Sequence, residues 1–381
     1  MSFPRPYMSC PRTNIQRPTP AKQLAALDAI CPYFTRFPLS YPIARLRSAR
    51  PGAWVLDPFC GAGTTVLAAR QLDMGAVGAD SSAVAVAIAQ AKLLSVAPEA
   101  IVARLRTVPH EDMPDIETPQ GEFWRKCYAP NTLAVLCRFR QYFMDSPEGP
   151  ADHMLRALLL GLLHGPKHSP LPCLSNHLPA AFAPAPEKAV AFWKRNRLEA
   201  PEIDVANAIQ NRALQLLKEP TPAGRGSILT GDSRHLCFSE SPLFDWVITS
   251  PPYYGMNTYR RHQWLRLWLL GGPAEPMPDE TDQINQTTLE QYVDDLARVW
   301  RNVARSCRPG ACLRLRFGAV PGATTPHPFE VIRTSLRNAN AGWKITTRRP
   351  VAPQKPKGHA EFDNPAQWPE NEFELFARLE T

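Results

Sequence analysis

The sequence has no run that approaches the roughly 18 uninterrupted apolar residues of a membrane-spanning helix. No apolar stretch follows Arg5, Arg12 and Arg17 either, so neither a membrane anchor nor a secretory leader is expected. Cysteine is sparse and poorly spaced for pairing: nine residues, an odd number, with no C-x-x-C pair. That pattern argues against a disulfide framework and a zinc ribbon, and it predicts a cytoplasmic chain with reduced thiols. Internal repeats are absent as well.

Proline, by contrast, is abundant: 41 of 381 residues. Many come in punctuating pairs (Pro18 and Pro20, Pro170 and Pro172, Pro184 and Pro186), the mark of rigid loops between ordered elements. A chain of this length buries a sizeable core, as one large domain with an insertion or as two modest ones. The net charge of +8 is unevenly spread. From Arg298 to Lys357 there are 13 Lys or Arg against one acid, Glu330; from Met1 to Arg50 there are 8 against Asp28 alone. Such flanks suit a polyanionic partner or a solvated basic surface, and composition does not separate the two.

Along the chain, residues up to about Arg50 are proline-broken and basic. Gly52 to Asp57 and Gly75 to Asp80 are short apolar runs ending in an acid, which read as buried parallel strands. Each leads into a helical pattern, "VLAARQL" and "SSAVAVAIAQAKLL". Strand, glycine turn, helix, strand, helix opens a doubly wound α/β sheet. From about Ser95 to Gly224 the pattern turns mainly helical and reads as an insertion. Alternation resumes with strands at Gly226 to Asp232 and Leu243 to Tyr254. A helix from Leu289 to Cys307 is expected to stop at "RPG". A strand with Arg314 and Arg316, a helix from His327, and the strands "GWKITTRR" and "NEFELFARL" complete the sheet.

Two loops carry chemistry. In Asp57-Pro58-Phe59-Cys60-Gly61-Ala62-Gly63-Thr64-Thr65, Gly61 and Gly63 permit positive φ and close approach of backbone to a ligand. A phosphate-binding P-loop would need Gly-Lys-Ser/Thr where Gly63-Thr64-Thr65 has no lysine, and a dinucleotide turn would need a third glycine. A glycine turn preceded by an acid instead suits a ligand with an ammonium group and a ribose. Asp80, at the end of the next strand, is placed for the ribose diol. The second loop is Thr249-Ser250-Pro251-Pro252-Tyr253-Tyr254. Consecutive prolines fix φ and remove backbone donors, leaving rigid carbonyl acceptors, the Ser250 hydroxyl and an aromatic face. An amino group acting as nucleophile needs such acceptors and a plane for its ring. A bare Pro-Pro-Tyr is more often a turn with a packed tyrosine; the glycine loop upstream reverses that balance.

"DPFCGAGTT" resembles the cofactor motif, and "TSPPY" the catalytic motif, of amino-directed DNA methyltransferases. The resemblance spans about Tyr33 to Leu94 and Gly226 to Leu379. It implies a doubly wound, mostly parallel, seven-stranded Rossmann-like methyltransferase sheet with a mainly helical inserted region. It divides the chain into a basic arm at 1–32, a catalytic domain at 33–96 and 226–381, and an inserted target-recognition region at 97–225. The cofactor implied is S-adenosylmethionine, held by Asp57, Pro58, Phe59, Gly61, Gly63, Thr64, Thr65, Asp80 and Ser81. Asp232 and Ser233 of "GDSRHL" join them near the adenine, and Phe37 of "YFTRFP" near the N-terminus. Ser250, Pro251, Pro252 and Tyr253 are the catalytic residues implied. Members with Ser-Pro-Pro-Tyr mostly methylate N4 of cytosine, so the expected reaction is direct in-line transfer to that amine. Ser250 and the Pro251 carbonyl would take the amino hydrogens and Tyr253 would stack the base, flipped out of double-stranded DNA. A restriction-modification or defence setting, with a cognate restriction endonuclease, goes with this reading. The alternatives are an adenine-N6 or RNA base methyltransferase on the same scaffold, and an inactive nucleic-acid-binding module.

Other features read more plainly. His164, His168 and His177 lack a Cys or acid at zinc spacing, so no metal is expected and a loop that is solvated or touches phosphate fits better. Cys173 follows no double-proline loop and reads as a buried or incidental thiol, not a cytosine-C5 nucleophile. Arg314, Arg316, Arg348 and Arg349 lie on strands, either exposed or, for some of them, on phosphates. YRRHQWLRLWLLG, Tyr259 to Gly271, resembles the helix after the catalytic loop.

Overall fold

A computed structural model describes residues 21–33, 37–108, 116–145, 149–167, 172–218, 221–238, 243–255, 259–276, 284, 288–319, 327–352 and 370–380. Most of the basic arm, and His168, Pro18, Pro20 and Pro170, lie outside them.

Seven strands form one sheet: β1 (Trp54–Asp57), β2 (Gly75–Asp80), β3 (Arg225–Thr230), β4 (Phe244–Thr249), β5 (Cys307–Ala319), β6 (Trp343–Pro350) and β7 (Glu370–Leu379). Their spatial order is β3-β2-β1-β4-β5-β7-β6. β1 through β5 pair in parallel, and β7 runs antiparallel between β5 and β6. This is the mostly parallel, doubly wound, Rossmann-like sheet of seven strands. Its order reverses direction between β1 and β4, which opens a crevice at their carboxyl ends.

The first helices are α1 (Ala21–Asp28), α2 (Ser40–Leu46), α3 (Thr64–Gln71) and α4 (Ala83–Leu93). The inserted stretch holds α5 (Pro98–Leu105), α6 (Glu122–Cys127), α7 (Pro130–Asp145), α8 (Pro150–Leu162), α9 (Pro186–Arg195) and α10 (Val205–Leu216). After β4 come α11 (Tyr259–His262), α12 (Trp264–Leu269), α13 (Leu289–Arg305) and, beyond β5, α14 (Pro328–Ala339).

Packing explains the composition of these helices. α13 buries Val293, Leu296, Val299, Trp300 and Val303, a stripe at helical spacing that covers β4, β5 and β7 together with α14. α4 has no polar stripe, because the sheet lies on one side and the inserted helices on the other; Val84 through Ala89 are all buried. Its alanines permit close approach: a Cβ on Gly63 would lie 2.8 Å from that of Ala89. Lys92 at its end is fully buried, and its ammonium reaches Asp28 of α1 at 3.0 Å. The inserted helices share one apolar core with α1, α3, α4 and α12, and so form an outer layer over α4.

Two boundaries differ from expectation. α13 ends at Arg305, and "RPG" lies inside β5, where the partner of β4 jumps from Cys307 to Cys312. In such a bulge Pro309 is not asked for a ladder donor, and Gly310 takes φ +80°. The helix expected from Tyr259 to Gly271 is two, α11 and α12, divided at Gln263.

Candidate active site

The crevice is built from the loops that follow β1, β2, β3 and β4, and hydrogen bonds lace all four together. Parallel pairing of Val55 with Trp246 and Leu56 with Val247 brings Asp57 level with the end of β4. Asp57 is buried, and its carboxylate accepts from Thr65 Oγ1 at 2.6 Å, Thr249 Oγ1 at 2.7 Å and the Phe59 amide at 3.2 Å. One acid thus joins the two ends of the glycine loop to the start of the double-proline loop. Burial pushes this carboxyl up to about 6, against the three hydrogen bonds that pull it down.

Gly61 and Gly63 take φ +47° and +74°, as the sequence requires. Gly63 is the N-cap of α3, without a side-chain cap. The two differ in what surrounds them. Gly63 is pressed against α4, whereas a Cβ on Gly61 would meet only the Tyr33 ring, at 3.8 Å. Gly61 therefore opens on space that a ligand can enter, roofed by an aromatic. Asp80, half-buried at the tip of β2, accepts from the amides of Gly61 and Ser82, both at 2.9 Å. Ser81 sits between them, half-buried.

The β3 loop closes the third side. The Gly231 amide donates to the Asp80 carbonyl at 3.0 Å, and buried Ser233 donates to the Pro58 carbonyl at 2.5 Å. Asp232 is engaged by Arg234, which also bonds Asp295 of α13. Phe59 packs edge-on against Trp300. Thr64 is buried in the first turn of α3.

On the β4 side, Ser250 is half-buried directly after the strand and Pro251 is buried. The Pro252 carbonyl accepts from Tyr292 of α13 at 2.5 Å. Tyr253 departs from the open stacking face expected of it. Only 6% exposed, its ring stands edge-on to Phe317 at 5.0 Å and its hydroxyl donates to Glu372 at 2.8 Å. The other Glu372 oxygen takes Arg316. Half-buried Tyr254 is the more accessible aromatic, packed against Tyr292. Past this loop, Arg266 of α12 is fully buried and bonds the carbonyls of Leu160 and Ala180, tying the segment to the inserted helices.

The remaining sequence-predicted residues take these places, with Arg316 and His164 corrected from exposed or phosphate-facing to buried. Phe37 packs on Tyr41 and the core under α2, while Tyr33, from the same motif, overlies Gly61. Arg316 is buried on Glu372 and unavailable to phosphate. His164 is fully buried with Nδ1 on the Pro179 carbonyl, and burial holds its pKa well below the usual value, so it is a core histidine. His177 accepts from the Lys167 amide. Cys173 is packed against Gly165 and burial pushes its thiol up to about 11, which leaves it unreactive. Among the described residues no His, Cys, Asp and Glu group is arranged to hold a metal, and no helix is long and apolar enough to cross a membrane. Sequence reasoning missed Tyr292 and Glu372, which lie in no motif, and passed over Tyr33, the first residue of the motif from which Phe37 was taken.

Residues 18–91 match the family model of N6/N4 DNA methylases. The match covers the glycine loop and Asp80, bears out the resemblance read from "DPFCGAGTT", and ends well before the double-proline loop. No curated protein matches the chain. Among solved structures, the rRNA methyltransferase AviRa from Streptomyces viridochromogenes is 12% identical with a TM-score of 0.35, covering 97% of each chain. TrmN from Thermus thermophilus is 12% identical with a TM-score of 0.32, over 89% of this chain and 48% of its own. Magnesium protoporphyrin IX methyltransferase from Synechocystis, with bound SAM, is 11% identical with a TM-score of 0.33, over 94% and 79%. These likenesses are weak, and the fold rests on the strand order.

Proposed function

We propose that the chain is an S-adenosylmethionine-dependent methyltransferase acting on the exocyclic amine of a nucleic-acid base, N4 of cytosine in double-stranded DNA. The observation that carries this reading is the Asp57 junction, which sets a glycine loop of the N6/N4 methylase type against a Ser-Pro-Pro-Tyr loop. The open space at Gly61, the acid at Asp80 and the absence of a lysine in the loop fit a cationic, ribose-bearing cofactor better than a polyphosphate.

When bound, S-adenosylmethionine supplies an electrophilic methyl on a sulfonium. The residues to hold it are those of the glycine loop from Asp57 to Thr65, with Tyr33 above Gly61, Asp80 and Ser81 toward the ribose, and Asp232 and Ser233 toward the adenine. Asp57 acts through the loops it fixes, since Thr65, Thr249 and Phe59 already occupy its carboxylate. The Ser250 hydroxyl and Pro251 carbonyl accept the hydrogens of the base amine and raise the density of its lone pair. Tyr253 anchors their loop through Glu372, and Tyr254 offers the nearer aromatic surface. No side chain forms a covalent bond to the base; the protein's contribution is positioning and electrostatics. The inserted helices at 97–225 serve as the target-recognition region, a role that suits their bond to the segment after the catalytic loop through Arg266.

Transfer of tritiated methyl from the labelled cofactor to duplex DNA and to RNA, followed by digestion to nucleosides, tests the proposal. N4-methylcytosine from DNA is expected, and Ser250→Ala is expected to abolish most of the transfer. Label in N6-methyladenine or in RNA moves the chain to the alternative substrate. An undiminished Ser250→Ala enzyme removes the site altogether. Sequencing an expressing strain shows whether the marks fall at a fixed site, as protection from a cognate endonuclease requires.

A further inference from the structure

Three guanidinium groups converge on a single ring beside the crevice. Arg314 of β5 lies 4.0 Å from the Phe376 ring centre, Arg349 of β6 lies 5.2 Å away, and Arg45 of α2 lies 5.7 Å away. Phe376 itself is only 8% exposed and pairs with Arg314 across β5 and β7. One carboxylate serves the cluster, and it is already taken. Glu374 binds Arg45 in a two-pronged bond, 2.6 Å to Nε and 2.7 Å to Nη2. Among the described residues neither Arg314 nor Arg349 has an ion pair, and the buried Nε of Arg314 has no hydrogen-bond partner.

Like charges held this close repel, and contacts with an aromatic face attract each cation without neutralising it. An external anion would supply the counter-charge that Arg314 and Arg349 lack among the described residues. The cluster's position indicates which one. Arg314 pairs with Ile248, two residues before Ser250, so strand geometry places its Cα on the order of 8 Å from that of Ser250. A phosphodiester next to a base held at Ser250 falls within reach of a side chain from there. Arginine's planar fork matches phosphate oxygens, and its weak hydration suits a half-buried setting.

We propose that Arg314 and Arg349, backed by Phe376 and by the Arg45–Glu374 pair, form a phosphate-binding site for the nucleic-acid backbone flanking the target nucleotide. The proposal rests on the nucleic-acid reading above, but its test does not require methyl transfer.

Binding of a fluorescent duplex oligonucleotide is measured by anisotropy across a salt series, for wild type, Arg349→Gln, Arg314→Gln and the double variant. Each lost phosphate contact reduces the slope of log affinity against log salt by about 0.9. The double variant therefore loses about 1.8 in slope and on the order of 50-fold in affinity at 0.1 M salt relative to 1 M. Arg349 is exposed, so its variant keeps the fold even if Arg314→Gln unfolds the strand. Arg314→Lys and Arg349→Lys retain most of the slope. Arg333→Gln, on the opposite face in α14, is the control for net charge, with no comparable change expected. An unchanged slope in Arg349→Gln and in the double variant overturns the site, and so does an equal loss in Arg333→Gln. A reduced slope in a chain that transfers no methyl to DNA or RNA supports the site while refuting the enzymatic reading.

Discussion

Thr249 Oγ1 donates to Asp57 at 2.7 Å across 192 residues of sequence, and Thr65 Oγ1 holds the same carboxylate at 2.6 Å. Each threonine therefore reports on the junction between the two loops. Thr249→Val keeps the shape and removes the donor, leaving part of a buried carboxylate unsatisfied. A loss of about 1–3 kcal/mol in denaturant unfolding is expected. Thr65→Val behaves alike, and the double variant departs from the sum of the singles because the two share one acceptor. Methyl transfer by Thr249→Val falls even under conditions where the variant is fully folded.

The same carboxyl gives the stability a pH signature. Its folded value is about 6 against an ordinary 3.8, raised by burial. Between those values the folded chain holds a proton that the unfolded chain has released, so this group's contribution falls as pH rises from about 4 to 6. Two histidines act the other way. Burial lowers His164 well below 6.5 and His262 to about 4, so acidification below 6.5 protonates them in the unfolded chain first. With two protons favouring the unfolded side and one the folded side, stability declines toward pH 4, with Asp57 offsetting part of the loss. Asp57→Asn removes the offset. Its unfolding free energy should fall more steeply between pH 6 and 4, by about 1.4 kcal/mol per pH unit. Parallel profiles for the two proteins would refute the assignment.

Gly61 and Gly63 make a contrasting pair. Both have positive φ, so alanine costs about 1–2 kcal/mol of backbone strain at either. At Gly63 the added methyl also meets Ala89 Cβ at 2.8 Å and Cα at 2.9 Å, and the helices must separate. Gly63→Ala is expected to lower the melting temperature sharply. Gly61→Ala meets only Tyr33 at 3.8 Å, so the fold survives while the methyl occupies the ligand's approach. Calorimetric titration with S-adenosylhomocysteine should show the larger affinity loss in Gly61→Ala. Tyr33→Ala should weaken the same ligand without a comparable loss of stability.

The contrast also shows how far local chemistry reaches. The turns at Gly61 and Gly63, the acids ending β1 and β2, and the Ser-Pro-Pro-Tyr loop were legible because neighbouring residues determine them. The partners of those loops were not. Tyr33 overlies Gly61 because of how the chain before α2 is routed, and no periodicity marks that. Glu372 reaches Tyr253 only through the antiparallel register of β7 beside β5. Charge patterning misled at Arg316, where alternation suggested an exposed face and the fold supplied a buried acid. His164 stood in a proline-rich stretch that reads as loop, yet the bend just after α8 buries it in the core.

The bond from Tyr253 to Glu372 makes that acid a positioning residue, and two variants separate its functions. Glu372 Oε1 accepts from Tyr253 at 2.8 Å while Oε2 pairs with Arg316, which is 6% exposed. Glu372→Gln keeps an acceptor for the tyrosine but leaves Arg316 a buried cation without its counter-charge. A stability loss of about 3–5 kcal/mol is expected, seen as a lower denaturation midpoint. Tyr253→Phe does the reverse: the ion pair and the ring packing on Phe317 stay, and only the loop's anchor is lost. Its stability should change by about 1 kcal/mol, while kcat falls up to about tenfold and the affinity for S-adenosylhomocysteine is unchanged. A Tyr253→Phe enzyme with wild-type kcat would mean that Tyr292 and Asp57 hold the loop without help from β7.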